Sequence, residues 1–399
     1  MTVYPAFPAH DVATHEDAAP LAVRVVDPLS LSPELAAAWD ALADDASEPN
    51  PFVERWCLQP ALHLLDPERR ARLVMVRDGD GGPVIGVMPL APADRYGRLP
   101  LRHATGWAHP NHFLGLPLVR AGFERLFWSI LLGWCDAAPW ARTLVHLPRL
   151  TEDGPLHRAL ADVAQGRGRA VEIVHREERA LLDSRLSPDA YWQAAVRAKK
   201  RKELRRQTKR LADQGELAFR RWRPDEPLDP WIDAFLDLEM RGWKGRAGSA
   251  LASHGETEAW FRATLAGAVA TDRLAMSALD LDGRPLAMLI HFLCPPGGFS
   301  FKTAFDEAYA RFSPGVLLQR ENLDLLADPA IDWVDSCAVP HHPMIDSIWR
   351  ERRRLVWVNV PLSAAPDRWR FDALTRIEAI WRRWKRSHST PSDAIQDPS

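Results

Sequence analysis

The chain has 399 residues, 46% of them hydrophobic, enough for two or three ordinary domains with filled cores. Lys and Arg (51) nearly balance Asp and Glu (53), and the net charge of −2 excludes a global attraction to nucleic acid or acidic lipid. The four cysteines, Cys57, Cys135, Cys294 and Cys337, form no CxxC pair. Neither a zinc site nor a disulfide framework is indicated, and a reducing cytosol is expected.

Residues 1–20 are rich in Ala, Pro and His, carry no period and read as a disordered leader. They lack the basic and apolar regions of a secretory signal. Leu21 to Val26 predicts a strand, and Ser32-Pro33-Glu34 predicts a capped helix to about Ala46. Arg72 to Arg77 and Val84 to Leu90 form a hairpin across Asp78 to Gly82. An irregular β segment covers Leu99 to Val119, and a helix covers Phe123 to Ala137. The apolar stretch Leu126 to Trp134 is too short to span a bilayer. A strand at Thr143 to Leu147 and a helix near Leu156 to Gln165 follow.

A second half begins at Ser187-Pro188-Asp189, where a long helix runs to about Asp213. A strand at Glu216 to Trp222 and helices at Pro230 to Trp243 and Thr257 to Ala270 come next. Leu274 to Leu281 and Pro285 to Leu293 form a hairpin across Asp282-Gly283. A third strand, Phe299 to Phe305, leads to a helix from Ser313-Pro314-Gly315 to about Ala327. A strand at Ile331 to Ser336, a short helix at Met344 to Arg353 and a strand at Leu355 to Val360 follow. The expected fold is α/β of the α+β kind: two halves (21–180 and 181–362), each a mostly antiparallel mixed sheet flanked by helices. An amphipathic helix at 363–386 and a polar tail at 387–399 complete the chain.

Several residues carry candidate chemistry. Ser313, Pro314 and Gly315 combine a cap, a first-turn proline and close backbone access, which suit a pyrophosphate, with Arg311 nearby to add charge. Glu239 shares a helix face with Phe235 and Leu236, so its carboxylate is either paired, with Arg241 or Lys302, or desolvated toward the pKa of a general base. Asp306 ends a strand and either orients an acceptor or caps a turn. His291 lies in an apolar strand, and His341-His342 lies in a loop. The cluster His109-Pro110-Asn111-His112 either lines a cleft between the halves or is a surface loop. From Lys199 to Arg210, eight of twelve residues are Lys or Arg, a solvated face or an anion-binding one, with Lys199 and Arg206 as candidate substrate contacts. No metal pattern, Walker loop or Rossmann fingerprint is present.

The segment Phe301-Lys302-Thr303-Ala304-Phe305-Asp306-Glu307, continued by Tyr309 to Gly315, resembles a signature of the FemAB-like, CelD-like group within the GNAT acyltransferase superfamily. Glu239 to Arg246 with Gly248 to Leu251, and the basic run from Lys199, resemble two further elements of that group. The resemblance implies an acyl-CoA-dependent N- or O-acyltransferase, with acetyl-CoA or another acyl-CoA as co-substrate and no metal. It implies a donor site at Phe301, Lys302, Thr303, Arg311, Phe312, Ser313, Pro314, Gly315 and Val316. Glu239, Asp306 and His291 become the catalytic candidates, and Trp243, Lys244, Lys199 and Arg206 the acceptor contacts. The expected acceptor is a small molecule, glycan or lipid, reached in the cytoplasm or at the inner membrane surface, with envelope or exopolysaccharide synthesis as the setting. Nucleic acid is not expected as a partner. Two rival readings stand beside this: an aminoacyl-tRNA-dependent transferase and a non-catalytic scaffold of a polysaccharide machine.

Overall fold

The computed structural model describes residues 22–79, 82–362 and Ala373. The expected leader, C-terminal amphipathic helix and tail lie outside these residues. Thirteen strands form one mixed sheet. In chain order they are β1 (Ala22–Val26), β2 (Arg72–Arg77), β3 (Val84–Ala93), β4 (His103–Gly106), β5 (Leu118–Val119), β6 (Leu144–Thr151), β7 (Glu172–Leu182), β8 (Leu217–Arg221), β9 (Leu274–Leu281), β10 (Arg284–Cys294), β11 (Gly297–Phe305), β12 (Trp333–Asp335) and β13 (Glu351–Pro361). The helices are α1 (Pro33–Asp44), α2 (Arg55–Leu64), α3 (Glu124–Ala137), α4 (Pro155–Gly166), α5 (Pro188–Ala195), α6 (Ala198–Ala212), α7 (Asp229–Arg241), α8 (Trp243–Arg246), α9 (Gly255–Ala270) and α10 (Pro314–Glu321).

The spatial order is β1-β2-β3-β4-β6-β13-β7-β12-β11-β10-β9-β8, with β5 beside β3. Read inward from either edge, the two halves have the same plan. Each runs antiparallel until one parallel pair, β4 with β6 in the first half and β11 with β12 in the second. Left alone, β6 and β12 would each expose an unpaired edge. The halves cover these edges by exchange: β13, from the second half, pairs with β6, and β7, from the first, pairs with β12. β7 and β13 also pair with each other from Glu172↔Asn359 to Leu181↔Glu351.

Local sequence explains most elements. Ser32 and Ser187 accept from Leu35 N and Ala190 N, capping α1 and α5 ahead of their first-turn prolines. Asp282 and Gly283 both take positive φ (49° and 74°), as a two-residue hairpin turn requires. Other segments differ from the expectation. The single helix over 187–213 is two, because Val196 and Arg197 are extended and Val196 is buried. The Arg201 guanidinium donates to the carbonyls of Gln193 and Val196 at that break. The helix to Ala327 becomes a 3-10 turn after Glu321, and the expected helix at 344–353 is a single 3-10 turn at Ile345–Ser347. Neither α2 nor β7 is evident from the sequence pattern.

One apolar core joins the halves. α2 crosses α9 so closely that a side-chain carbon on Gly267 would lie 2.8 Å from Trp56 Cβ. Trp56 also packs on Phe292, at 4.9 Å between ring centroids. At the centre of the sheet stands an ionic group. Asp335 (0% exposed) accepts from Arg179 at 2.6 Å and Arg353 at 2.9 Å through one carboxylate oxygen, and from Cys337 N at 2.9 Å through the other. Arg179 also donates to Phe113 O, and Arg353 to Thr151 Oγ1. Despite burial, the two arginines hold the Asp335 carboxyl below its ordinary range.

Removing one partner of such a group leaves a buried charge uncompensated. Asp335→Asn and Arg179→Met are each expected to destabilise the fold by about 3–5 kcal/mol in urea titrations. The Asp335 contribution is present above the unfolded carboxyl's pKa of about 4 and is lost as pH falls below it. Variants with unchanged midpoints would contradict this.

Candidate functional site

The site grows from a bulge in β11. Pairing with β10 matches Ile290 to Lys302 but His291 to Ser300, so Phe301 is the extra residue. The bulge turns Phe301 and Lys302 to one face of the sheet. Phe301 joins the joint core, stacked on Phe292 at 4.6 Å, so it supports the site rather than lining it freely. Lys302 Nζ donates to Asn111 Oδ1 at 2.5 Å and sits 5.5 and 5.6 Å from the Phe113 and Phe301 ring centroids. Part of the Lys302 side chain still meets solvent, but its ammonium is deeply enclosed. Burial, with the nearby Lys244 charge, lowers its pKa to about 7, and Glu239 opposes that shift.

Glu239 (4% exposed) is paired, and the partner is Lys244 rather than Arg241 or Lys302. Its Oε1 accepts from Lys244 Nζ at 2.7 Å and its Oε2 from Leu251 N at 2.8 Å. Both oxygens are therefore engaged. Trp243 is 57% exposed, and its N–H donates to Glu307, which Arg246 also holds. Glu239, Trp243, Lys244, Thr303, Phe305 and Glu307 line a small pocket of about 40 Å³.

The first half supplies the opposite wall. His109 and His112 are buried, at 5.8 Å between ring centroids, and His109 packs on Trp260 at 4.6 Å. The cluster is thus internal, between the halves, and not a surface loop. Burial, then the neighbouring His112 and Lys302, keeps His109 neutral well below its ordinary pKa. Burial and Arg149 lower His112 to about 3. Arg149 and Arg179 hold this loop through the carbonyls of His112 and Phe113. The sequence marked the Asn111 cluster and Lys302 separately but not their contact, because the two residues are 191 positions apart.

The remaining candidates are spread out. Asp306 caps the following 3-10 turn by accepting from Ala308 N. His291, on β10, lies on the opposite face of the sheet from Ile290 and Phe292, beside residues of β9 and α10. Ser313 is not an extended cap: it is left-handed (φ 54°), and its side chain makes no capping bond. Gly315 is buried, and a side-chain carbon there would meet Met344 Sδ at 2.8 Å. Pro314 and Phe312 are buried, Val316 is half-buried, and Arg311 is exposed over the Phe312 ring. Lys199 is exposed, and Arg206 pairs with Glu203 at 2.6 Å.

The sheet opens beside this bulge. β12 pairs with β11 only at Gly297–Phe299, while β11 continues to Phe305. Beyond Asp335 the other chain turns away, since Ser336 N bonds Ala180 O and Cys337 is left-handed (φ 51°). The opening therefore exposes the β11 edge beside Lys302 and Thr303. The corresponding opening in the first half is filled by its own chain: Gly115 N donates to Arg149 O, and a side-chain carbon on Gly115 would lie 1.9 Å from Pro148 O. For the pyrophosphate, the start of α10 offers few free N–H groups, because Pro314 has none and Val316 bonds Ser313 O. Among the described residues no His, Cys, Asp or Glu group has metal-binding geometry, and no helix is long and apolar enough to cross a membrane.

Comparison with known proteins agrees with this architecture. Residues 198–339 match the family model described as an acetyltransferase (GNAT) domain. A solved conserved protein of unknown function from Bacteroides thetaiotaomicron VPI-5482 superposes with a TM-score of 0.54 at 10% identity, covering 86% of this chain and 100% of that one. FemX superposes with a TM-score of 0.53 at 9% identity, covering 83% of this chain and 96% of FemX. These likenesses establish a shared fold. No curated protein matches by sequence. Residues 198–339 are thus similar to a GNAT acetyltransferase domain, set within a mixed α/β sheet.

The Lys302 charge has a measurable consequence. The folded amine loses its proton near pH 7, against about 10.4 when unfolded. Between these values the unfolded chain binds more protons, so stability rises with pH. Melting temperatures of wild type relative to Lys302→Met are expected to climb from pH 7 to about pH 10. A pH-independent difference would contradict the buried-amine assignment.

Proposed function

We propose that the protein is an acyltransferase that moves an acyl group from acyl-CoA directly to an amine or hydroxyl acceptor held between its halves. One observation carries the reading: the diverging β11–β12 edge leads to a buried lysine that both halves enclose. A donor lying along Ser300 to Phe305 brings its thioester carbonyl beside Lys302. The protonated amine then donates to the oxygen as the acceptor attacks the carbonyl carbon, the carbon–sulfur bond breaks, and the thiolate leaves. The proton lost by the acceptor passes to the departing thiolate, so the step ends with a free thiol and Lys302 keeps its own proton throughout. Glu239 acts by placing the Lys244 charge and the 251 loop, because both of its oxygens are already engaged. Asp306 and Gly315 shape the exit of β11, and Trp243 offers an exposed ring at the pocket mouth.

In calorimetry, acetyl-CoA is expected to bind the wild type, and Gly315→Glu to abolish binding by driving a charged side chain against Met344 and Phe305. Lys302→Gln is expected to lower kcat at least about 100-fold with a small change in donor affinity. No heat with any acyl-CoA would overturn the donor assignment.

One observation favours a second donor, an aminoacyl ester on tRNA. Along α6, Lys199, Lys202, Arg205, Arg206, Lys209 and Arg210 are exposed. On this reading tRNA binds with a steep salt dependence, and charge reversal at Lys199, Lys202 and Arg205 lowers the slope of log affinity against log salt by about 2–3. RNA binding that is absent or insensitive to these changes leaves acyl-CoA as the donor.

A further inference from the structure

A second cavity lies on the other face of the sheet, between β8–β10 and α10 with its 3-10 extension. It has a volume of about 710 Å³ and opens at the sheet edge. Its floor is polar and unsatisfied. His291 is 2% exposed, and neither ring nitrogen has a hydrogen-bond partner. Ser277 Oγ and Asn322 Nδ2, also lining the cavity, are likewise buried without partners. The Asn322 side chain lies beside the His291 ring and raises its pKa, against the effect of burial, yet both groups keep unfilled hydrogen-bonding capacity. Buried polar groups are ordinarily paired, and three side chains with unfilled hydrogen-bonding capacity along one space indicate a place for an absent partner.

The chemistry of the walls narrows that partner. Burial lowers the His291 pKa to about 4, so at neutral pH the ring offers one donor and one acceptor without charge. Ser277 and Asn322 are also dual donor and acceptor groups. Phe219, 42% exposed, supplies an apolar platform on one wall. The mouth carries both signs: Arg221 pairs with Asp324 at 2.7 Å, beside Glu321 and Asp328. Such a rim gives a phosphate or carboxylate no net attraction.

We infer that this cavity is a second binding site, for an uncharged ring bearing hydroxyl or amide groups, of sugar or nucleoside size. The ring lies against Phe219 and hydrogen-bonds to Ser277, His291 and Asn322. It is separated by the sheet from the Lys302 site and does not depend on the acyl-transfer reading.

The test follows the His291 ring resonances of the full-length ¹⁵N-labelled protein while glucose, N-acetylglucosamine, adenosine or glucose 6-phosphate is added. At least one of the three uncharged compounds is expected to give saturable shifts. Saturation by a sugar or by adenosine identifies the source. Ser277→Ala and Phe219→Ala, conservative changes at the cavity wall, are each expected to weaken binding at least about fivefold. Saturation by glucose 6-phosphate alone overturns the proposal. So does the absence of saturable shifts, which marks a water-filled void, or binding unchanged in both variants.

Discussion

The buried group of Asp335 with Arg179 and Arg353 is the constraint on which the rest depends. Its members come from β12, β7 and β13, the strands through which the halves exchange edges. A carboxylate without solvent is tolerable only with near-complete compensation, and here two guanidinium groups and a backbone N–H provide it. The arginines continue outward to Phe113 O and Thr151 Oγ1, so the same charges secure first-half segments against the second half.

The proposed site follows from that arrangement. Asp335 ends β12 where the sheet begins to open, and its bond to Cys337 N directs the chain away from β11. Arg179 fixes the loop that carries His109, Asn111 and His112. The bulge at Phe301 then turns Lys302 toward that loop. A lysine on a regularly pleated strand would have faced α10 instead. One half thus supplies an open edge and the other a lid of neutral groups, which keeps the amine near its titration point at physiological pH.

Sequence made the local parts of this legible. Asp282-Gly283 declared its hairpin through the backbone conformation it requires, and Ser32 and Ser187 declared their helix starts. The wording from Phe301 to Gly315 pointed to the strand that carries the site. β7 was hidden because its segment is charged: Arg176 and Glu178 pair with Glu152 and Arg354 rather than alternating with apolar residues. α2 was hidden by Pro60 in its interior, a residue that ordinarily ends a helix. The ionic centre left no trace, because Arg179 and Asp335 are 156 residues apart and meet only through strand exchange. His291 read as a catalytic candidate for want of a face assignment, which the bulge in β11 and the packing of α10 determine.

The central claim is that both halves enclose one reacting centre at Lys302. A crystal structure with bound acetyl-CoA tests it most directly. The account predicts pantetheine along Ser300 to Phe305 and the thioester carbonyl oxygen within hydrogen-bond reach of Lys302 Nζ, about 3 Å. An acyl group seated in the first half, or on the α10 face of the sheet, would contradict it.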